Sequence, residues 1–287
     1  MPAGIFGVPQ DNKTIIPSQQ GEYYSDSFHK RNMKRVSYGT LSEYRSPSDA
    51  IEMSIHLGKS QATIKDNYIS VVVEAESFDE AFQKVKNELD RFCQHLSLKQ
   101  RRIITYKNVI IEDDTGKAYT VGGSIVGLSV TMYNLKNLRQ NITEVEKYHT
   151  IIDERLQKAL DYYEQALLLY EKRQQIAEIS SRFYMQIIAS VYINLAKAVS
   201  TVLGDKRIDK DHKFRYKRLG IDEEFYKVKV RQIHKLRNNY GVAHYSLDDN
   251  KIKEIEDKYG ESIQTVVDII IRYRDYLSQH ESDNDPI

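Results

Sequence analysis

ISVVVEAESFDEAFQKVKNELDRFCQHLSL, residues 69–98, changes its hydrophobic period in the middle. Ile69, Val71, Val73 and Ala75 recur at every second position, which predicts a strand with one apolar face. SFDE follows, and Ser77 with Glu80 has the spacing of a capping box, so a helix is predicted to start there. Phe78, Phe82, Val85, Leu89, Phe92 and Leu96 then recur every three or four residues, one stripe on a helix of about twenty residues. A strand feeding an amphipathic helix predicts a sheet that the helix covers.

Upstream, Ile51, Met53, Ile55 and Leu57 alternate as a second strand. Residues 1–47 are polar, punctuated by Gly, Pro and Ser, and read as an arm. Downstream, two further strands are expected around the turn residues Asp113, Asp114, Thr115 and Gly116. One covers roughly 103–111; the other runs through Val126, Leu128, Val130 and Met132. Residues 48–140 therefore read as an α+β domain, a small antiparallel sheet covered by one helix.

Beyond Asn141 the period is helical throughout. Thr143 and Glu146 form a second capping-box candidate, followed by Ile152, Leu156, Leu160, Tyr163, Leu167 and Tyr170 on one face. A second helix over about 180–203 carries Phe183, Ile187, Val191, Leu195 and Ala198 and ends near Gly204. A basic connector leads to a third helix from about Asp222. A fourth starts near Asp249 with Ile263, Val267, Ile270, Tyr273 and Leu277, and Tyr259-Gly260 is a candidate break. Residues 141–280 thus read as an all-α bundle, and 281–287 as a solvated, frayed tail.

The composition narrows the partners. No stretch resembles a membrane span of uncharged apolar residues, and the N-terminal MPAGIFGVPQDNK lacks the pattern of a secretory signal. The single cysteine, Cys93, excludes an internal disulfide framework and fits a reducing, cytoplasmic setting, and its place beside Phe92 predicts a buried thiol. Net charge is only +1, yet Asp205–Arg237 holds twelve Lys/Arg against six Asp/Glu. A local positive field of this kind suits a polyanion; a solvated helix face gives the same pattern.

That basic run ends in RNNYGVAH, residues 237–244. Arg237 and His244 are seven apart, so on a continuous helix they share a face two turns distant. Histidine exchanges protons near neutral pH, and arginine grips phosphate in a fixed fork. Together they could serve the attack of a ribose 2′-hydroxyl on its own phosphate, chemistry that needs RNA rather than DNA. By residue type and spacing alone such a pair is more often a salt-bridged or core pair than a catalytic one. No P-loop, nucleophile elbow, H-E-x-x-H or paired cysteines occur, so no cofactor and no metal are expected.

The stretch R-N-N-Y-G-V-A-H resembles the motif of HEPN domains: an arginine, a polar residue (here Asn238), and a histidine after four to six intervening residues. A helical bundle with the motif late in its third long helix also resembles the HEPN arrangement. The resemblance covers residues 141–280 and implies a metal-independent endoribonuclease. Its site would be composite across a homodimer, with Arg237, His244 and Asn238 catalytic. Arg231, His234 and Lys235, one to two turns earlier, would guide the RNA backbone. It further implies a toxin or antiviral-defence effector regulated by the N-terminal domain. The alternative is a catalytically silent HEPN-like module that binds RNA, or a protein partner within a larger complex. In either case the N-terminal domain would be a sensor or docking unit for a regulatory protein.

Overall fold

A computed structural model describes residues 33–40, 52–65, 68–106, 109–113, 115, 117–121, 135–177, 181–204, 212–240 and 249–280. The expected strand through Val126–Met132, most of the N-terminal arm and the tail at 281–287 lie outside these residues.

The strands are β1 (Met33–Thr40), β2 (Glu52–Leu57), β3 (Ser60–Lys65), β4 (Tyr68–Ala75), β5 (Val109–Asp113) and β6 (Ala118–Val121). They form one antiparallel sheet in the order β2-β3-β4-β1-β5-β6. β2 and β3 make a hairpin through Gly58-Lys59, and Gly58 takes φ 58°, the left-handed conformation such a two-residue turn requires. At the β5–β6 turn, Asp113 Oδ1 accepts the amides of Thr115 and Lys117, both at 3.0 Å, which closes the turn locally. β5 starts at Val109, later than expected. Residues 103–106 are not strand, and Ile104 is instead anchored by its amide donating to Ser97 Oγ at 2.8 Å.

The place of β1 departs most from the expected polar arm. β1 pairs with β4 over Met33–Thr40 and with β5 over Arg35–Tyr38, so it lies inside the sheet. Its register sets Arg35, Ser37 and Gly39 opposite Val73, Val71 and Ile69, which are buried. Those positions carry no apolar alternation to read; the hydrogen-bond ladders on both edges place the strand.

Helix α1 (Phe78–Gln100) starts as predicted. Ser77 Oγ accepts the Glu80 amide at 3.1 Å, while the Glu80 carboxylate reaches back to the amide of Glu76 at 2.7 Å, one residue before the usual reciprocal partner. Phe78, Val85, Leu89, Phe92 and Leu96 are buried on the sheet, with Phe82 partly so. Cys93 is buried too, and desolvation pushes its thiol pKa well up, which keeps it protonated and unreactive.

A second helix, α2 (Leu135–Tyr148), joins α1 on the sheet, where one helix was expected. Its Ile142 and Val145 belong to the sheet's core, so the first half extends past 140 to about His149. Thr143 is no N-cap: its Oγ1 donates back to the Arg139 carbonyl at 3.1 Å, inside α2. Asp153 starts the next helix instead, accepting the Leu156 amide at 2.6 Å. Ile152, expected on that helix's apolar face, sits in the connection and is 81% exposed.

The helical half holds α3 (Glu154–Ala177), α4 (Ser181–Leu203), α5 (His212–Arg218), a single turn α6 (Glu223–Phe225), α7 (Arg231–Tyr240) and α8 (Asp249–Gln279). Along α4 the buried residues include Tyr184, Ile188, Val191, Tyr192, Leu195, Ala198 and Val199. Phe183, expected inside, is 56% exposed, so the stripe begins one residue later than its periodicity suggested. By length and composition Phe183–Leu203 could cross a membrane, but its apolar side chains line the core of the bundle. α8 runs unbroken through Gly260, where a break was expected. Tyr259 stacks on Tyr170 of α3, and Ile255 and Ile263 are buried on either side, so packing holds the helix together across the glycine. Many of the tyrosines serve this core: Tyr163, Tyr192, Tyr216, Tyr226 and Tyr273 are all buried.

The halves meet through packed, hydrogen-bonded contacts. Leu98, at the end of α1, belongs to the helical core. Gln94 of α1 donates to Asp161 of α3 at 2.8 Å and accepts from Gln157 at 2.6 Å. Arg274 of α8 is 1% exposed, with Nη2 at 3.3 Å from Glu144 of α2 and 2.9 Å from Asp275, and its guanidinium 3.6 Å from the Tyr148 ring centre. Lys99 adds a 2.5 Å contact to the same Glu144. Partial burial alone would raise the Glu144 carboxyl, but hydrogen bonds and charge from Lys99 and Arg274 hold it below the usual carboxylate range.

Candidate functional site

The third long helix is built in three pieces. Asp222 caps it, with Oδ1 accepting the Phe225 amide at 2.6 Å. After α6 the chain takes a π-helical turn over Tyr226–Val230 and then continues as α7. A π-turn holds one residue more than an α-turn, which rotates the faces of the next helical segment by about 100°. The basic residues within the turn and those after it therefore do not form one stripe. Tyr226 is buried within the turn and stacks on Tyr216 of α5, rings 5.1 Å apart.

The turn divides the basic run chemically. Lys227 pairs with Glu223 at 3.5 Å, and Lys229 bonds to Glu261 of α8, so acids offset the charge of both. Val230, at the end of the turn, and Ile233 and Leu236 of α7 are buried. Arg231, His234, Lys235 and Asn238, at spacings of three and four, share the opposite, outward face. Arg231, Lys235 and Asn238 are exposed and His234 is half-buried. Among the described residues neither Arg231 nor Lys235 has an ion-pair partner.

Arg237 lies at the flank of that face, half-buried. Its Nε and Nη2 both donate to Asn238 Oδ1, at 3.1 and 3.0 Å. The neighbouring asparagine thus fixes one edge of the guanidinium. Arg237 also stands in the last turn of α7, where a cation favours the helix dipole. The structure so brings Arg237 and Asn238 together and groups Asn238 with Arg231, His234 and Lys235. His244 and the rest of 241–248 lie outside the described residues, as does any distance from Arg237 to His244.

Two features were not anticipated from sequence. The π-turn has no signature in YKVKV that periodicity would reveal. At the other end of the bundle, a cleft of about 610 Å³ is lined by residues of α5 and α8, including Arg218, Arg272, Tyr276 and His280. The spacing of four from Arg272 to Tyr276 to His280 on α8 was its only linear signal. Compared with models of protein families, with characterised proteins and with solved structures, the chain matches none.

Proposed function

We propose that the chain is a metal-independent endoribonuclease of HEPN type, acting through Arg237, Asn238 and His244. The observation that carries the reading is the pairing of Arg237 with Asn238 beside an outward basic face formed by Arg231, His234 and Lys235. In this reaction His244 takes the proton of a ribose 2′-hydroxyl. The oxygen attacks the adjacent phosphorus, the bond to the 5′-oxygen breaks, and a proton returns to that leaving oxygen. The products are a 2′,3′-cyclic phosphate and a 5′-hydroxyl end. Arg237 stabilises the charge that builds on the phosphoryl oxygens, and the Asn238 contact keeps its fork oriented. Arg231 and Lys235 hold the strand by its phosphates. A homodimer pairing two such motifs, a role as toxin or antiviral-defence effector, and regulation through the sheet half belong to the same proposal.

The test is cleavage of labelled single-stranded RNA in excess EDTA by the full chain. Arg237→Ala and His244→Ala are each expected to lower the rate by about 100-fold or more, with cyclic-phosphate ends in the wild-type products. Cleavage at the wild-type rate in both variants would sink the assignment. A second reading, a silent RNA- or partner-binding module, draws on the ion pairs of Lys227 and Lys229 and on the place of Arg237 in the last helical turn. It expects RNA binding without cleavage, unchanged in Arg237→Ala.

A further inference from the structure

The cleft at the other end of the bundle is assembled from separate elements that converge on one kind of ligand. Arg218 comes from the end of α5, Leu219 and Gly220 from the turn after it, and Arg272, Tyr276, Gln279 and His280 from the last turns of α8. Its volume, about 610 Å³, falls in the range of small-molecule sites.

Two guanidiniums reach it. Arg272 Nη1 donates to the carbonyls of Leu219 at 3.2 Å and Gly220 at 2.9 Å. Those carbonyls, in the turn after α5, orient the fork, and among the described residues its Nε and Nη2 edge has no hydrogen-bond partner. Gly220 has φ 63°, a backbone conformation that strains a side chain, and a Cβ there would sit close to Arg272 Nη1, at 3.3 Å. Arg218 Nη1 donates to the Tyr276 hydroxyl at 3.4 Å. Among the described residues the lining contains one acid, Asp275, and its Oδ1 accepts from Arg274 Nε at 3.1 Å and Nη2 at 2.9 Å.

Beside the guanidiniums lie two aromatic rings. The rings of Tyr276 and His280 stack 4.2 Å apart, 17° from parallel. His280 Nδ1 donates to the Tyr276 carbonyl at 2.8 Å, which fixes the ring. The Gln279 amide supplies both a donor and an acceptor at the lining. Arginine forks that grip a phosphate beside an aromatic platform match a nucleotide, with phosphate on Arg218 and Arg272 and base on the stacked rings.

We propose that this cleft binds a nucleoside monophosphate unit, either free or at the end of an RNA strand. It is separate from the motif on α7: Asp222, which caps the helix just after Gly220, lies fifteen residues before Arg237, about 22 Å along the helix. Occupancy of the cleft therefore does not depend on cleavage at Arg237.

The experiment is titration of the full chain with 5′-AMP, with inorganic phosphate, and with a 5′-phosphorylated RNA octamer. Saturable binding of 5′-AMP is expected, with phosphate competing weakly. Arg218→Gln and His280→Ala should each weaken it about ten-fold or more, while Arg237→Ala leaves it unchanged. Arg272→Lys, at an exposed position, keeps the charge but loses the fork and should also weaken binding, which covers the case in which one of the others misfolds. Tighter binding of the octamer, reduced by the same variants, identifies a strand end; tighter binding of 5′-AMP identifies a free nucleotide. If neither probe binds, or binding is unchanged in folded Arg218→Gln, His280→Ala and Arg272→Lys proteins, the proposal is overturned.

Discussion

The junction between the halves and the outer face of α7 both carry arginines, and they use them in opposite ways. At the junction Arg274 is almost fully buried, bonded to Glu144 and Asp275 and stacked over Tyr148. On α7, Arg231 is exposed and Arg237 is half-buried, tied only to its neighbour Asn238 among the described residues. A charge removed from water must be matched within the fold, so its loss is read as instability. A charge left in water costs the fold little, so its loss is read, if anywhere, in binding or catalysis. The contrast shows that a conspicuous arginine points to function only once its burial is known.

The sharpest way to break this comparison is Arg274→Ala. It removes one partner of a buried network and leaves Glu144 with Lys99 alone, so a loss of about 3 kcal/mol is expected in urea unfolding. A loss under about 1 kcal/mol would mean that the junction does not depend on this network.

A second test uses His95, buried on α1 near the same arginine. Burial, with added repulsion from Arg274, His149 and Arg91, pushes its pKa down from 6.5 to about 3. Unfolded chains bind this proton near pH 6.5 while the folded chain binds it only near pH 3. Stability from this group is therefore present above pH 6.5 and falls as pH drops toward 3, by about 2–3 kcal/mol at pH 4.5. His149, also buried and lowered first by desolvation, adds in the same direction. Urea midpoints at pH 7.5 and 4.5 check this: the drop should be smaller in His95→Leu than in wild type.

A smaller effect of opposite sign is expected within α8. Gly260 lies in the helix interior with open space where a Cβ would go, so Gly260→Ala should raise stability by about 0.5–1 kcal/mol. A destabilised variant would show that the flexibility of this position matters to the fold. The smallest effect belongs to α7: Arg237→Ala should change stability by no more than about 0.5 kcal/mol, its consequence appearing in the RNA cleavage proposed above. Melting curves of the two arginine variants side by side make the comparison direct.

Much of this architecture could be read from local pattern because the responsible forces are local. The alternation in β2 and β4, the Ser77 cap and the stripe of α1 were all legible, since each depends on residues within a turn or two. The candidate site was legible only in part. Arg231, His234, Lys235 and Asn238 do share a face, but Lys227 and Lys229 lie within the π-turn, off that face, and acids three-dimensionally close offset those two.

What the sequence by itself determined was the order of the halves, the identity of most elements and the place of the basic run, because period and capping are encoded along the chain. What only the tertiary structure decided was membership and charge state. β1 entered the sheet through backbone ladders that require two distant partners, and α2 joined the sheet half because Ile142 and Val145 found that core. Gly260 stayed helical because its neighbours were already packed, and Arg218, Arg272, Tyr276 and His280 met only when α5 folded against the end of α8. Each of these outcomes rests on contacts between residues far apart in the chain, and no local period records such contacts.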